Sequence, residues 1–407
     1  MNEDDSDNQL VRVEHGPLAL TSLAENRILS EMVGASLVLA KGSAPAPIDL
    51  DALVREGKRL YISKVVGMTK EDIHTFEYSF ETAVWCKIAT LKREQGERGM
   101  TEENIRAFDF FIRAAEAGHS KAQFLVAELC YWFGAGVPQD YVEAAKWYRK
   151  AAEQGDATAQ FALAICYQLG EGVAEDVVEA AKWYRHAAEH GDATAQFHLG
   201  YLYLVGRGVP QDYVEAAKWY RKAAEQGDAT ARFALATCYQ FGEGVPEDYV
   251  EAVSWYRKAA EQGHQEAQFS LGRCYETGEG VQRDPTQAAE WYRKAAERGH
   301  AGAQINLAGC YGGGDGVRQD YAEAAKWYTK AAEQGDADGR YFLGVCFQYG
   351  RGVPIDMREA YKWYQLAADR GIEQGKEEAA SLAALMSPSE FAAASALYRE
   401  FNDKHSA

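Results

Sequence analysis

The stretch Val137–Phe161, VPQDYVEAAKWYRKAAEQGDATAQF, decides the fold, because its first 23 residues return unchanged from Val209 to Ala231. At its centre is a Trp-Tyr pair in an alanine-rich run. The pair recurs at Trp147, Trp183, Trp219, Trp255, Trp291, Trp327 and Trp363, each 36 residues after the last. A fixed period of roughly 20 to 50 residues is the mark of a stacked repeat array.

One unit, Ala159 to Thr194, shows what is repeated. Asp156 stands at an N-cap, and Ala159, Leu163, Ala164 and Tyr167 then follow at helical spacing. Gly170 and Gly172 end that helix. A second helix opens at Asp176, with Glu179 three residues on in the pattern of a capping box, and it closes at Gly191. The same pairing recurs as Asp140 with Glu143, Asp212 with Glu215, Asp248 with Glu251, Asp284 with Gln287, Asp320 with Glu323 and Asp356 with Glu359. Each unit is thus a helix hairpin whose alanines allow close backbone approach. Trp and Tyr fill the space between hairpins, and stacking supplies a core that no single hairpin can build.

This repeat organises the chain into three parts. Residues 1–100 form an N-terminal region with an acidic start, a Gly-Ser-Ala-Pro-Ala-Pro linker at 42–47 and a helical cap or small domain. Residues 101–372 hold seven good repeats and one worn copy, in which Phe110 and Phe111 replace Trp-Tyr; the first good unit carries one extra residue between Ala122 and Tyr131. Residues 373–407 supply a C-terminal capping helix, opened by the box Ser387-Pro388-Ser389-Glu390 and bearing Phe391, Ala394, Tyr398 and Phe401.

Composition narrows the function. With 61 acidic against 43 basic residues the net charge is −18, which argues against nucleic acid as a partner. The N-terminus is acidic where a secretory signal is basic, and the longest nearby apolar run, Met32 to Ala40, is too short to insert in a membrane. A cytoplasmic protein is expected. Six of the seven cysteines, Cys130, Cys166, Cys238, Cys274, Cys310 and Cys346, precede an aromatic residue at equivalent places, too far apart to pair, and are expected to be reduced and buried.

Signals for chemistry are weak. Each Gly-x-Gly loop follows a helix C-terminus and precedes an Asp cap, both unfavourable to a phosphate. Gly312-Gly313-Gly314-Asp315-Gly316 lacks the Gly-Lys-Ser/Thr of a P-loop. The repeated Asp residues already have capping roles. His186, His190 and His198 lie near one another in sequence, but no other repeat keeps them and no Cys or carboxylate completes a ligand set. No catalytic residue, metal site or cofactor is expected.

The Gly-x-Gly-Val loop, the Ala-Ala-Lys-Trp-Tyr-x-Lys-Ala-Ala block and the closing glycine together resemble the Sel-1-like repeat family. That resemblance implies an all-α fold, a right-handed α-solenoid of tandem 36-residue helix hairpins related to tetratricopeptide arrays. It further implies a non-enzymatic scaffold or adaptor that binds protein or peptide partners on its concave face. By analogy with tetratricopeptide repeats, the contact positions lie six and two residues before the first-helix tyrosine and one and two after it. They give Leu125, Leu129, Trp132 and Phe133; then Ile165, Gln168 and Leu169; then Tyr201, Leu204 and Val205; then Gln240 and Phe241; then Arg273 and Glu276. The phenylalanine recurring six residues before the tyrosine either joins this surface or packs within the hairpins. Some relatives are described as β-lactamase-like. The chain lacks their Ser-x-x-Lys motif, so a hydrolase site would have to lie in residues 1–100.

Overall fold

The computed structural model describes residues 112–132 and 140–405. They belong to two compact units, Met1–Asp140 and Tyr141–Ala407. In the first, a helical segment at 112–116 precedes α1 (Ser120–Trp132). The second runs through α2 (Tyr141–Glu153), α3 (Ala157–Leu169), α4 (Val177–Glu189), α5 (Ala193–Val205), α6 (Tyr213–Glu225), α7 (Ala229–Phe241), α8 (Tyr249–Glu261) and α9 (Gln265–Thr277). It continues with α10 (Pro285–Glu297), α11 (Ala301–Gly313), α12 (Tyr321–Glu333), α13 (Ala337–Tyr349), α14 (Met357–Ala368), α15 (Glu373–Leu385) and α16 (Pro388–His405). No strand occurs among the described residues. From α3 to α14, odd and even helices alternate as the first and second helices of antiparallel hairpins, each packed on its neighbours in sequence.

Capping fixes the ends of these helices. The first-helix caps Asp156, Asp192, Asp228 and Asp336 each accept the N–H three residues on, while His264 and His300 do so with Nδ1 at 3.2 and 3.0 Å. At the second helices the predicted capping box forms only in half. Asp176 accepts from the amides of Val178 and Glu179, both at 3.0 Å, but Glu179 turns to Lys182 instead of returning to Asp176. The Asp176 amide donates to the Tyr167 carbonyl at 2.9 Å, so the preceding helix has already satisfied it. Asp212, Asp248, Asp284 and Asp320 repeat this bond to tyrosine carbonyls. Asp140 reaches Cys130 instead, ten residues back where the others reach nine, so Cys130 takes the place of the tyrosine and the extra residue falls after it, not between Ala122 and Tyr131 where the sequence alone puts it.

The core is made of alanine, leucine and tyrosine. Ala180, Ala187, Ala216, Ala223, Leu199, Leu235, Tyr184 and Tyr292 are fully buried. Stacking is sealed by contacts between hairpins. The second glycine of each described Gly-x-Gly loop lies against the first turn of the preceding hairpin's second helix: at Gly244 (φ +73°) a Cβ would stand 1.9 Å from the Tyr213 carbonyl oxygen. These loops therefore approach the chain's own backbone. Buried side chains add polar ties that the sequence reading missed. Gln160, Gln196, Gln268 and Gln304 donate to the carbonyls of Ala152, Ala188, Ala260 and Ala296, and Arg232 and Arg340 serve the same role. Between the same neighbouring hairpins Arg257 and Arg293 donate to the hydroxyls of Tyr275 and Tyr311 at 2.7 and 2.9 Å.

The segment after residue 372 holds two helices where one was expected. In α16 the capping box is complete: Ser387 N–H donates to Glu390 at 2.8 Å and Glu390 N–H to Ser387 Oγ at 3.3 Å. Ala394 is buried, and Tyr398 and Phe401 pack on the last hairpins, with the Phe401 ring 5.1 Å from that of Trp363.

Candidate functional site

The positions predicted to face a partner separate into distinct environments. Six residues before the tyrosine the side chain turns inward. Phe161 is 1% exposed and its ring stands 5.6 Å from Tyr184 of its own hairpin; Phe197, Phe233 and Phe269 meet Tyr220, Tyr256 and Tyr292 in the same way. In α1, Gln123 bonds the Ala115 carbonyl as Gln160 bonds that of Ala152, so Phe124 and not Leu125 takes the place of Phe161; Leu125 is itself 7% exposed, which removes it from the contact surface. Leu129 is half-buried; the Trp132 side chain and Phe133 lie outside the described residues.

One residue after the tyrosine, the side chain serves the fold. Gln168, Gln240 and Glu276 accept hydrogen bonds from the buried hydroxyls of Tyr184, Tyr256 and Tyr292 at 2.8, 2.6 and 2.6 Å. Burial raises all three tyrosines, Tyr256 to about 12, so they stay neutral donors. Leu204 occupies this position in α5 and is half-buried.

The remaining two positions face outward. Two residues before the tyrosine, Ile165 is half-buried while Tyr201 and Arg273 are exposed. Two residues after it, Leu169, Val205 and Phe241 are 55%, 39% and 63% exposed. Each is the last residue of its first helix in three consecutive hairpins. An apolar side chain left in water there contributes little to folding, because little of its area is removed from water.

In α11 the two outward positions are Gly309 and Gly313, and the position between them that elsewhere answers the tyrosine hydroxyl is Gly312, so none of the three carries a side chain. A Cβ added at Gly309 or Gly312 meets nothing within 4 Å, so neither packing nor the helical backbone calls for glycine. Each weakens the helix by about 1 kcal/mol relative to alanine.

Reactive groups are confined. The six described cysteines are buried and form no disulfide among the described residues, and burial pushes Cys238 up to about 12 and Cys274 and Cys346 to about 11. The three candidate histidines are spent on packing and capping. His190 bonds Gln160 and the His186 carbonyl, while His198 stacks on Tyr184 at 5.2 Å. Among the described residues no group of three or more His, Cys, Asp or Glu is arranged to hold a metal, and no helix is long and apolar enough to cross a membrane.

An array of 36-residue helix hairpins, stacked through glycine loops and a buried Trp-Tyr stripe, defines an all-α solenoid of repeats. The Sel1 repeat model matches eight consecutive segments: 93–119, 120–156, 157–192, 193–228, 229–264, 265–300, 301–336 and 337–372. The chain belongs to the Sel1 repeat family. It is similar to a Sel1 repeat protein from Oxalobacter formigenes, at 32% identity and a TM-score of 0.59 over 73% of this chain and 91% of that one. A protective antigen of uropathogenic Escherichia coli with the same repeat fold shares 29% identity over 83% of this chain and 95% of its own, with a TM-score of 0.32. Helicobacter pylori cysteine rich protein B shares 27% identity over 32% of this chain and 94% of its own, with a TM-score of 0.27. No curated protein matches the sequence. Sel1 repeat proteins generally serve as protein-interaction scaffolds.

Proposed function

We propose that this chain is a non-enzymatic scaffold that holds a protein partner against the face formed by its first helices, the inner face in tetratricopeptide arrays. The observation that carries this reading is the row Leu169, Val205 and Phe241, exposed and apolar at one position of three successive hairpins. Side chains at such a recurring position are free to vary without cost to the core, which is where a repeat array can encode a partner. Tyr201 flanks the row and adds an aromatic anchor of the kind enriched in contact surfaces. An amphipathic helix laid across the row suits its period and its apolar character. The net charge of −18 supports a protein over a nucleic acid partner.

The test is comparative affinity capture with the full chain and with Leu169→Glu, Val205→Glu, Phe241→Glu combined. Proteins held by the wild type and released by the variant, at unchanged helicity, are the expected result. Equal capture by both would remove the row from the binding surface.

A further inference from the structure

We propose that a hollow of about 350 Å³ beside α11 receives a basic side chain, Lys or Arg, of the partner that crosses the apolar row, an inference that rests on the function proposed above. Gly309 lines the hollow where other repeats carry Ile165 or Tyr201, and Gly312 and Gly313 follow it one turn on, so α11 sends no side chain across the opening from these positions. Its walls include Glu276, Ile305, Asn306, Asp315, Tyr328 and Phe342. What the glycines provide is space, since Gly309 and Gly312 are required by neither conformation nor contact.

The charges around that space select its occupant. Glu276 gives one carboxylate oxygen to the Tyr292 hydroxyl and keeps the other, and the Asp315 carboxylate makes no hydrogen bond or ion pair among the described residues. Arg283 also borders the hollow, but its Nε donates to the Glu276 carbonyl at 3.0 Å, which ties it to the end of α9. Carboxylates outnumber guanidinium two to one. Tyr328 and Phe342 stack at 5.2 Å between ring centroids and form an aromatic wall, which suits the alkyl stem and the cationic head of Lys or Arg. The Asn306 amide oxygen adds an acceptor.

A displayed library of random dodecapeptides, selected on the full-length chain at physiological salt, tests this. Two double variants serve as probes. Gly309→Ile with Gly312→Gln fills the hollow with side chains that α3 already carries at these positions. Glu276→Gln with Asp315→Asn removes the charge, and Gln keeps an acceptor for Tyr292 as Gln168 and Gln240 do in their hairpins. The expected result is that selected peptides share a Lys or Arg, and that either double variant, or Gln in place of that residue in the peptide, raises Kd at least tenfold. Peptides without a shared basic residue, or Kd unchanged by both double variants, would overturn the hollow while leaving the apolar row standing if Leu169→Glu and Phe241→Glu still abolish binding. Peptides insensitive to every variant, or no peptides at all, would overturn both.

Discussion

Gly244→Ala should destabilise the array far more than Gly242→Ala, although the two glycines lie in one loop with nearly the same backbone, φ +73° and +69°. Both substitutions force an L-residue into the left-handed region, at about 1–2 kcal/mol each. Only Gly244 adds a collision: its Cβ would sit 1.9 Å from the Tyr213 carbonyl oxygen and 2.7 Å from the Val214 nitrogen, both main-chain atoms in the first turn of α6. At Gly242 the nearest atoms are those of Glu247 at 3.5 Å, an ordinary contact. Relieving the collision requires the loop to move off the preceding hairpin, and overpacking of that kind costs roughly 1–3 kcal/mol more. The two variants should therefore differ by roughly 1–3 kcal/mol. Because repeat arrays need not unfold in one step, hydrogen exchange through α6 and α8 is the assay of choice, with urea unfolding alongside. Protection lost in both helices for Gly244→Ala and largely kept for Gly242→Ala is the expected pattern. Equal losses would show that backbone conformation alone, and not the contact between hairpins, makes the second glycine necessary.

His264 caps α9 by accepting the Ala267 amide at Nδ1, which requires a neutral ring. Burial lowers its pKa below the ordinary 6.5, opposed by Glu266 and Asp228, so its contribution is fully present above about 6.5 and is lost as pH falls from there through the folded-state value. His264→Asn keeps an acceptor that does not titrate, so it should flatten the fall in stability between about pH 7.5 and 5; parallel profiles for variant and wild type would contradict the capping role. Gly309→Ala with Gly312→Ala should stabilise the fold by about 1 kcal/mol per site and so raise the thermal midpoint, since Cβ atoms there meet open space; a lowered midpoint would mean that the glycines are structural. Arg257→Thr and Tyr275→Phe reproduce the natural pair Thr329 and Phe347. A double-mutant cycle on them should give a coupling of roughly 0.5–1.5 kcal/mol, and a coupling near zero would strip the Arg–Tyr bonds of any part in stacking.

The hairpin array was legible because its signals are local and repeated. The Trp-Tyr period, the paired alanines and the Asp caps each report the helix on which they stand, and the copies confirm one another. What escaped reading depends on neighbours. By spacing alone Glu179 completes a capping box, but the Asp176 amide is already bonded to the Tyr167 carbonyl, a contact made by the previous helix. Gln160 and its equivalents look like polar interruptions of an apolar helix. They are instead the donors that reach alanine carbonyls eight residues back, across the turn between hairpins. His264 and His300 stand where the other first-helix caps are aspartate, and only their Nδ1 geometry reveals the substitution of one acceptor for another. At the candidate site a helical wheel alone could not separate Phe161, which turns onto Tyr184, from Leu169, which remains in water; the ring contact with the second helix decides it. Gln168, Gln240 and Glu276 resembled variable surface residues, yet each answers the hydroxyl of a buried tyrosine.

Affinity of a captured partner for the wild type against the combined Leu169→Glu, Val205→Glu, Phe241→Glu variant, read with circular dichroism on both proteins, bears most directly on whether these outward residues carry the binding. The three side chains are 55%, 39% and 63% exposed, so helicity should not change. Losing apolar anchors of this size, each about 1–2 kcal/mol or more at the centre of an interface, should weaken binding at least a hundredfold. Binding within a few-fold of wild type, with the fold intact, would place the partner elsewhere on the chain.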